Sequence, residues 1–170
     1  MLYEIAKKSG AIKKYLRVFC QRYEQLFSEV RCQPLTILEI GIGGYKNQNK
    51  GGGSLKMWSE YFPNAFIVGL DCHEKKLNLP SNVIIQQGSQ TDIELLERLA
   101  DKMNGFDIVV DDASHITGNT IISFQSLISY TRLFYIVEDL HMASAKGTRD
   151  YFKDIHGADF DTQNLCVIKK

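Results

Sequence analysis

Four apolar runs in this chain close in a similar way. LTILEIGIG (35–43) ends on glycines, AFIVGLD (65–71) on an aspartate, FDIVVDD (106–112) on two, and FYIVEDL (134–140) carries a glutamate and an aspartate at its close. The runs are continuously apolar and rich in β-branched residues, with no in–out alternation, which is the pattern of strands buried on both faces. NVIIQQG (82–88) and NLCVIKK (164–170) add two further strand candidates. Helical periodicity fills the gaps: SLKMWSEYF (54–62) with Ser54 as N-cap and Pro63 beyond it, and TDIELLERLADKM (91–103) with a Thr91/Glu94 capping box ending at Gly105. NTIISFQSLISY (119–130) offers Ile122, Phe124, Leu127 and Ile128 to the core, and TRDYFKDIH (148–156) stops at Gly157. Strand–helix alternation of this kind predicts an α/β, Rossmann-like doubly wound, mostly parallel sheet of strand order 3-2-1-4-5 plus a C-terminal strand. Ligands in such sheets bind outside the carboxyl ends of the strands, where the acids are.

Before the first strand, apolar residues at helical spacing (Ile12, Leu16, Phe19, Tyr23, Leu26, Phe27) predict one or two helices broken at Gly10. The 170 residues suit one domain, 1–170, with residues 1–34 as a short N-terminal helical segment and 35–170 as the core. Lys plus Arg and Asp plus Glu both number 20, so no net field favours nucleic acid or an anionic membrane. The basic cluster Lys7, Lys8, Lys13, Lys14, Arg17 and Arg22 is taken as a solvated helix face. Cys20, Cys32, Cys72 and Cys166 lack metal spacing and fit reduced thiols in a cytoplasmic protein. No leader and no membrane span is expected.

The segment ILEIGIGGYKNQNKGGGS follows the first strand. A dinucleotide turn counted from Gly41 would need glycine at position 46, where Lys46 stands, so a nicotinamide oxidoreductase is disfavoured. Glu39, Gly41, Gly43 and Gly44 still allow backbone to approach a ligand closely. Asp71, at the next strand end, is suited to accept from both hydroxyls of a ribose. The two together point to nucleoside binding.

The remaining acids pose an energetic question. Adjacent strands lie about 4.8 Å apart, so Asp111, Asp112, Glu138 and Asp139 crowd one edge, and clustered buried carboxylates raise one another's pKa unless a cation compensates. Alternation sends Asp111 and Asp112 to opposite faces. Oxygen donors suit Mg²⁺ better than zinc. His115 follows Asp112 by three residues, whereas His73, His141 and His156 are given no role.

LTILEIGIGGY, GGGSLKMW, DDASH and VEDLH together resemble the S-adenosylmethionine-dependent class I methyltransferases, and more narrowly the metal-dependent sugar O-methyltransferases of macrolide and polyketide tailoring. The resemblance covers roughly residues 22–141. It implies that Glu39, Gly41 and Gly43 line the methionine moiety, with Ser54 helping to hold its carboxylate. By the same resemblance Asp71 takes the ribose, and the turn Gly88, Ser89, Gln90 and Asp92 lies against adenine. Ser89 replaces the family's usual acid, and the usual Pro-Gly-Gly before the fifth strand is absent. Asp112, Glu138 and Asp139 match the metal ligands and His115 the general base, leaving Asp111 a structural acid.

The implied activity is Mg²⁺-assisted methyl transfer from S-adenosyl-L-methionine to a hydroxyl of a small-molecule acceptor: a sugar, a catechol-like diol or a polyketide. The C-terminal part, expected to hold one helix and one strand where relatives have a helix and a β-hairpin, predicts an incomplete substrate pocket. That leaves turnover dependent on a partner or a homo-oligomer. The alternative is a degenerate module that binds S-adenosylmethionine or S-adenosylhomocysteine without turnover.

Overall fold

In the computed structural model, which describes residues 1–11, 16–142, 146–155, 157–160 and 165–170, helices α1 (Leu2–Ser9) and α2 (Leu16–Phe27) precede the sheet. Gly10 ends α1 in the left-handed conformation, as its position predicts. Ile12, Lys13, Lys14 and His156 lie outside the described residues, as does the side chain of Leu16. There follow β1 (Thr36–Ile40), α3 (Gly53–Tyr61), β2 (Phe66–Asp71), β3 (Val83–Gln87) and α4 (Ile93–Lys102). The chain continues through β4 (Phe106–Asp111), α5 (Thr117–Leu127), β5 (Thr131–Val137), α6 (Lys146–Phe152), β6 (Ala158–Phe160) and β7 (Cys166–Lys169). A single 3-10 turn, Ile128–Tyr130, joins α5 to β5.

The sheet order is β3-β2-β1-β4-β5-β7-β6. Strands β1 to β5 pair in parallel, and β7 runs antiparallel to both β5 and β6. The order 3-2-1-4-5 is therefore as expected, but the shortened C-terminal part is not. Residues 158–160 and 166–169 form the very β-hairpin expected to be missing, with Phe160 opposite Cys166. Its first strand is invisible in the sequence because ADF is too short and too polar to carry a strand pattern. It is identified by pairing alone, at a sheet edge.

The core lies in two layers. Ile37, Ile67, Ile108, Val110, Ile136 and Val167 face α1, α2 and α3. Leu38, Ile40, Val68, Val109, Tyr135, Val137 and Ile168 face α4, α5 and α6. Burying both faces explains why the strands show no alternation.

Three local expectations need correction. Gly52, not Ser54, is the N-cap of α3, and Ser54 sits inside the helix. The N-cap of α4 is Asp92, whose carboxylate accepts from Leu95 N at 3.1 Å, in place of the Thr91 box. Helix α6 ends at Phe152, and Gly157 serves the turn into β6, where a Cβ would stand 2.9 Å from the carbonyl oxygen of Lys169. Among the described residues, no helix is long and apolar enough to cross a membrane.

Candidate active site

Strand parity sets the site. In β1, Ile37 faces the α1–α3 layer and Leu38 the other, so Glu39 emerges on the α1–α3 side. The same count puts Asp112, beyond Val110, and Glu138, beyond Ile136, on that side, and Asp111 on the opposite one. The strand ends stay in register because Asp112 N donates to Ile40 O at 2.9 Å and Glu138 N to Asp111 O at 3.0 Å.

On the α1–α3 side these three acids border a cavity of about 240 Å³. Gly41, Gly43 and Ser54 also line it, and Phe19, Cys20 and Tyr23 of α2 close it from the N-terminal side. The Glu39 carboxylate is held by the Ser54 hydroxyl and, at 2.8 Å, by Trp58 Nε1. Tyr23 donates its hydroxyl to Glu138 Oε1. Burial, reinforced by Glu138, holds the Tyr23 phenol well above its ordinary value, so it remains a donor. Burial and the charges of Glu24 and Glu138 push the Cys20 thiol up to about 11, which keeps it a neutral wall residue.

The glycine loop does two separate things. Gly41 (φ +86°) is fixed by chain crossing, since a Cβ there would lie 2.4 Å from Asp112 O. Gly43 (φ +75°) faces open space instead, where a Cβ would meet nothing nearer than Gly51 Cα at 3.9 Å. Lys75, from beyond β2, donates Nζ to the carbonyls of Gly43 and Tyr45, both at 2.6 Å, and so pins the loop. Asp71 grips the same loop: its Oδ2 accepts from Ile42 N at 3.3 Å and its Oδ1 from His73 N at 2.8 Å.

Asp112, His115 and Asp139 bring one ligand atom each within 4.8 Å of one another. His115 Nε2 stands 3.8 Å from Asp139 Oδ2. Both residues are left-handed (φ 53° and 57°), a conformation that costs a non-glycine residue of order 1 kcal/mol and clusters at functional sites. The left-handed turn at Asp139 brings its carboxylate into the group. Asp112 belongs both to this cluster and to the cavity wall. The predicted ligand Glu138 is beside the cavity, with its carboxylate on Tyr23.

Asp111 has a different setting. Ser123 Oγ donates to it, and Tyr135 Oη and Gln90 Nε2 lie 3.4 Å away. Burial pushes this acid up to about 6, against the lowering effect of those donors and of Ala113 N–H. Hydroxyls and an amide, not a cation, compensate it.

The turn assigned to adenine lies apart from the cavity lining. Gly88 is packed so tightly on Leu95 that a Cβ would come within 1.9 Å of Cδ2. Ser89 Oγ meets Thr91 Oγ1 at 2.9 Å, and Gln90 Oε1 accepts from Ser114 N at 3.0 Å. Gln90 thereby ties this turn to the loop that carries His115. His141 is exposed. Tyr23, Trp58 and Lys75 escaped sequence reasoning as site residues. The only available signal was for Phe19 and Tyr23, spaced by four on the buried face of α2.

No family model matches the chain. Over 131 residues it is 44% identical to the 8-demethyl-8-(2-methoxy-alpha-L-rhamnosyl)-tetracenomycin-C 3'-O-methyltransferase of Streptomyces olivaceus, covering 76% of this chain and 34% of that protein. It is 40% identical to the mycinamicin VI 2''-O-methyltransferase of Micromonospora griseorubida over 131 residues, 76% of this chain and 33% of that one. The chain resembles the sugar O-methyltransferases.

The MycE methyltransferase of mycinamycin biosynthesis, solved with Mg and S-adenosylhomocysteine, superposes with a TM-score of 0.88 at 30% identity. That match covers 99% of this chain and 54% of MycE. The fold is thus the Rossmann-like methyltransferase fold, β-hairpin included. The chain spans about a third of the curated relatives' length and about half of MycE.

Proposed function

We propose that this chain is an S-adenosylmethionine-dependent, Mg²⁺-assisted O-methyltransferase acting on a hydroxyl of a sugar or other small-molecule diol. The observation that carries the reading is Asp112, shared between a glycine-loop cavity and a compact carboxylate–imidazole cluster. The relatives' sugar substrates, and MycE crystallised with Mg, S-adenosylhomocysteine and mycinamycin VI, support the same reading.

The donor chemistry fits both groups. Asp112, Asp139 and the neighbouring Glu138 offer only oxygen, as Mg²⁺ requires, and would hold it. When bound there, Mg²⁺ supplies positive charge that lowers the pKa of an acceptor hydroxyl. His115 takes the hydroxyl proton on its imidazole, with Asp139 stabilising the resulting imidazolium from 3.8 Å. The cavity that Glu39, Gly41, Gly43 and Ser54 line receives the methionine end of the cofactor. Asp71, held at the strand end by Ile42 N and His73 N, accepts from the ribose. The turn Gly88, Ser89, Gln90 and Asp92 borders adenine. Holding acceptor and donor in line supplies much of the rate.

The test is calorimetry with S-adenosylhomocysteine and with NAD, followed by a methyl-transfer assay against a panel of glycosides and diols. Binding of S-adenosylhomocysteine with Mg²⁺-dependent transfer is expected. NAD binding without S-adenosylhomocysteine binding would overturn the reading.

A further inference from the structure

The end of β2 holds a second cluster, of which the proposed methyl transfer uses only Asp71. Asp71, Cys72 and His73 bring a carboxylate oxygen, a thiol sulfur and an imidazole nitrogen within 4.8 Å of one another. His73 Nδ1 is 3.2 Å from Cys72 Sγ and 3.5 Å from Asp71 Oδ1. In a tetrahedral site with sulfur about 2.3 Å and nitrogen or oxygen about 2.0 Å from the metal, neighbouring donors stand about 3.3–3.5 Å apart. Both distances from His73 Nδ1 are close to that spacing, and all three donors lie within 4.8 Å of one another.

Their setting suits a ligand site. Asp71 is buried and held by two backbone donors, Ile42 N and His73 N, which fix its carboxylate. Cys72 is exposed and His73 half-buried, leaving an approach from solvent. The donor set also differs in kind from Asp112, His115 and Asp139. A thiolate beside an imidazole selects a soft or borderline cation, whereas a carboxylate-rich cluster favours a hard one. The plain alternative is a thiol donating to imidazole, and it predicts no metal response.

We propose that Asp71, Cys72 and His73 form a site for a thiophilic divalent cation of the zinc type, and that its occupancy excludes a nucleoside from Asp71. Binding displaces the thiol proton to solvent and joins Sγ, Nδ1 and a carboxylate oxygen to the metal, with no change of oxidation state. The exclusion rests on the ribose role proposed above, because a carboxylate held by a cation cannot also accept from both ribose hydroxyls.

Co²⁺ is the probe, because only a thiolate ligand gives an intense near-ultraviolet charge-transfer band, which the oxygen-rich cluster cannot produce. The protein is reduced, stripped with chelator and carries Cys32→Ser, since Cys32 is the other exposed thiol. Co²⁺ should give the thiolate band, lost on adding Zn²⁺ or chelator and absent in Cys72→Ser and His73→Ala. S-adenosylhomocysteine at about ten times its own Kd should weaken apparent Co²⁺ affinity by about tenfold. Absence of the band in protein that binds S-adenosylhomocysteine normally overturns the metal site and leaves the nucleoside reading intact. A band that persists in Cys72→Ser overturns it equally. If the band forms but S-adenosylhomocysteine does not bind, the metal site stands and the nucleoside reading fails. Simultaneous binding without competition overturns the exclusion.

Discussion

Asp111 and Asp112 are neighbours in sequence with opposite environments. Asp111 points into the α4–α6 layer and meets Ser123, Tyr135 and Gln90 in a closed polar cluster. Asp112 points to the α1–α3 side, into a cavity shared with Glu39 and Glu138, and approaches His115 and Asp139. An acid at a strand end is therefore no signal of function by itself. What distinguishes the two is their surroundings: side-chain donors from within the fold for Asp111, a cavity, an imidazole and further acids for Asp112.

The strongest way to break this contrast is to exchange the effects of the two residues. Asp112→Ala should reduce methyl transfer below detection and remove the rise in Tm that Mg²⁺ gives by mass action, and Glu138→Ala and Asp139→Ala should do the same. Asp111→Ala should keep the Mg²⁺ response. Thermal melts over a Mg²⁺ series decide it, and the opposite result would reverse the assignment of the two faces.

His115→Ala comes next. It should lower the transfer rate about 10²–10⁴-fold, the usual contribution of a positioned acid or base, while cofactor affinity and the Mg²⁺-dependent Tm rise persist. An active variant would leave His115 a packing residue with an unexplained left-handed backbone.

The third test sharpens the other side of the contrast. Asp111 rises from its ordinary 3.8 to about 6, so the folded state keeps a proton that the unfolded chain gives up. Its stabilising effect is complete below the unfolded value and is lost as pH rises through the folded one, by about 3 kcal/mol at most. Asp111→Asn cannot ionise and should flatten that part of the stability–pH curve. Denaturant titrations on both sides of the window measure it, and an unchanged slope would show that another group is responsible.

The smallest effect concerns the far edge of the site. Asp71→Ala should weaken S-adenosylhomocysteine binding by about 1–3 kcal/mol, the range for removing a buried polar partner. Calorimetry would remove Asp71 from the ribose site if affinity did not change.

Much of this was legible in the chain. Continuous apolar runs gave buried parallel strands, and period-two alternation was enough to separate Asp111 from Asp112. The hairpin was not legible, because the three residues of β6 carry no pattern and acquire their identity from β7. Nor were the caps at Gly52 and Asp92, where several adjacent residues could each have served and the helix start depends on how the preceding loop enters. Ile122 and Ile128, assigned to the core with Phe124 and Leu127, are only half-buried, whereas Thr120, Ser123 and Ser126 are buried. Hydrophobic periodicity cannot anticipate a buried serine whose partner is an acid on another element.

By itself the sequence determined which residues reach the carboxyl edge of the sheet and that Asp111 and Asp112 take opposite faces, because both follow from the geometry of a single strand. Only the tertiary structure decided what each acid meets there. Tyr23 reaches Glu138 across 115 positions of sequence, and Trp58 reaches Glu39 across 19. Such partners are chosen by the packing of α2 and α3 on the sheet, a non-local outcome that no pattern within one element encodes.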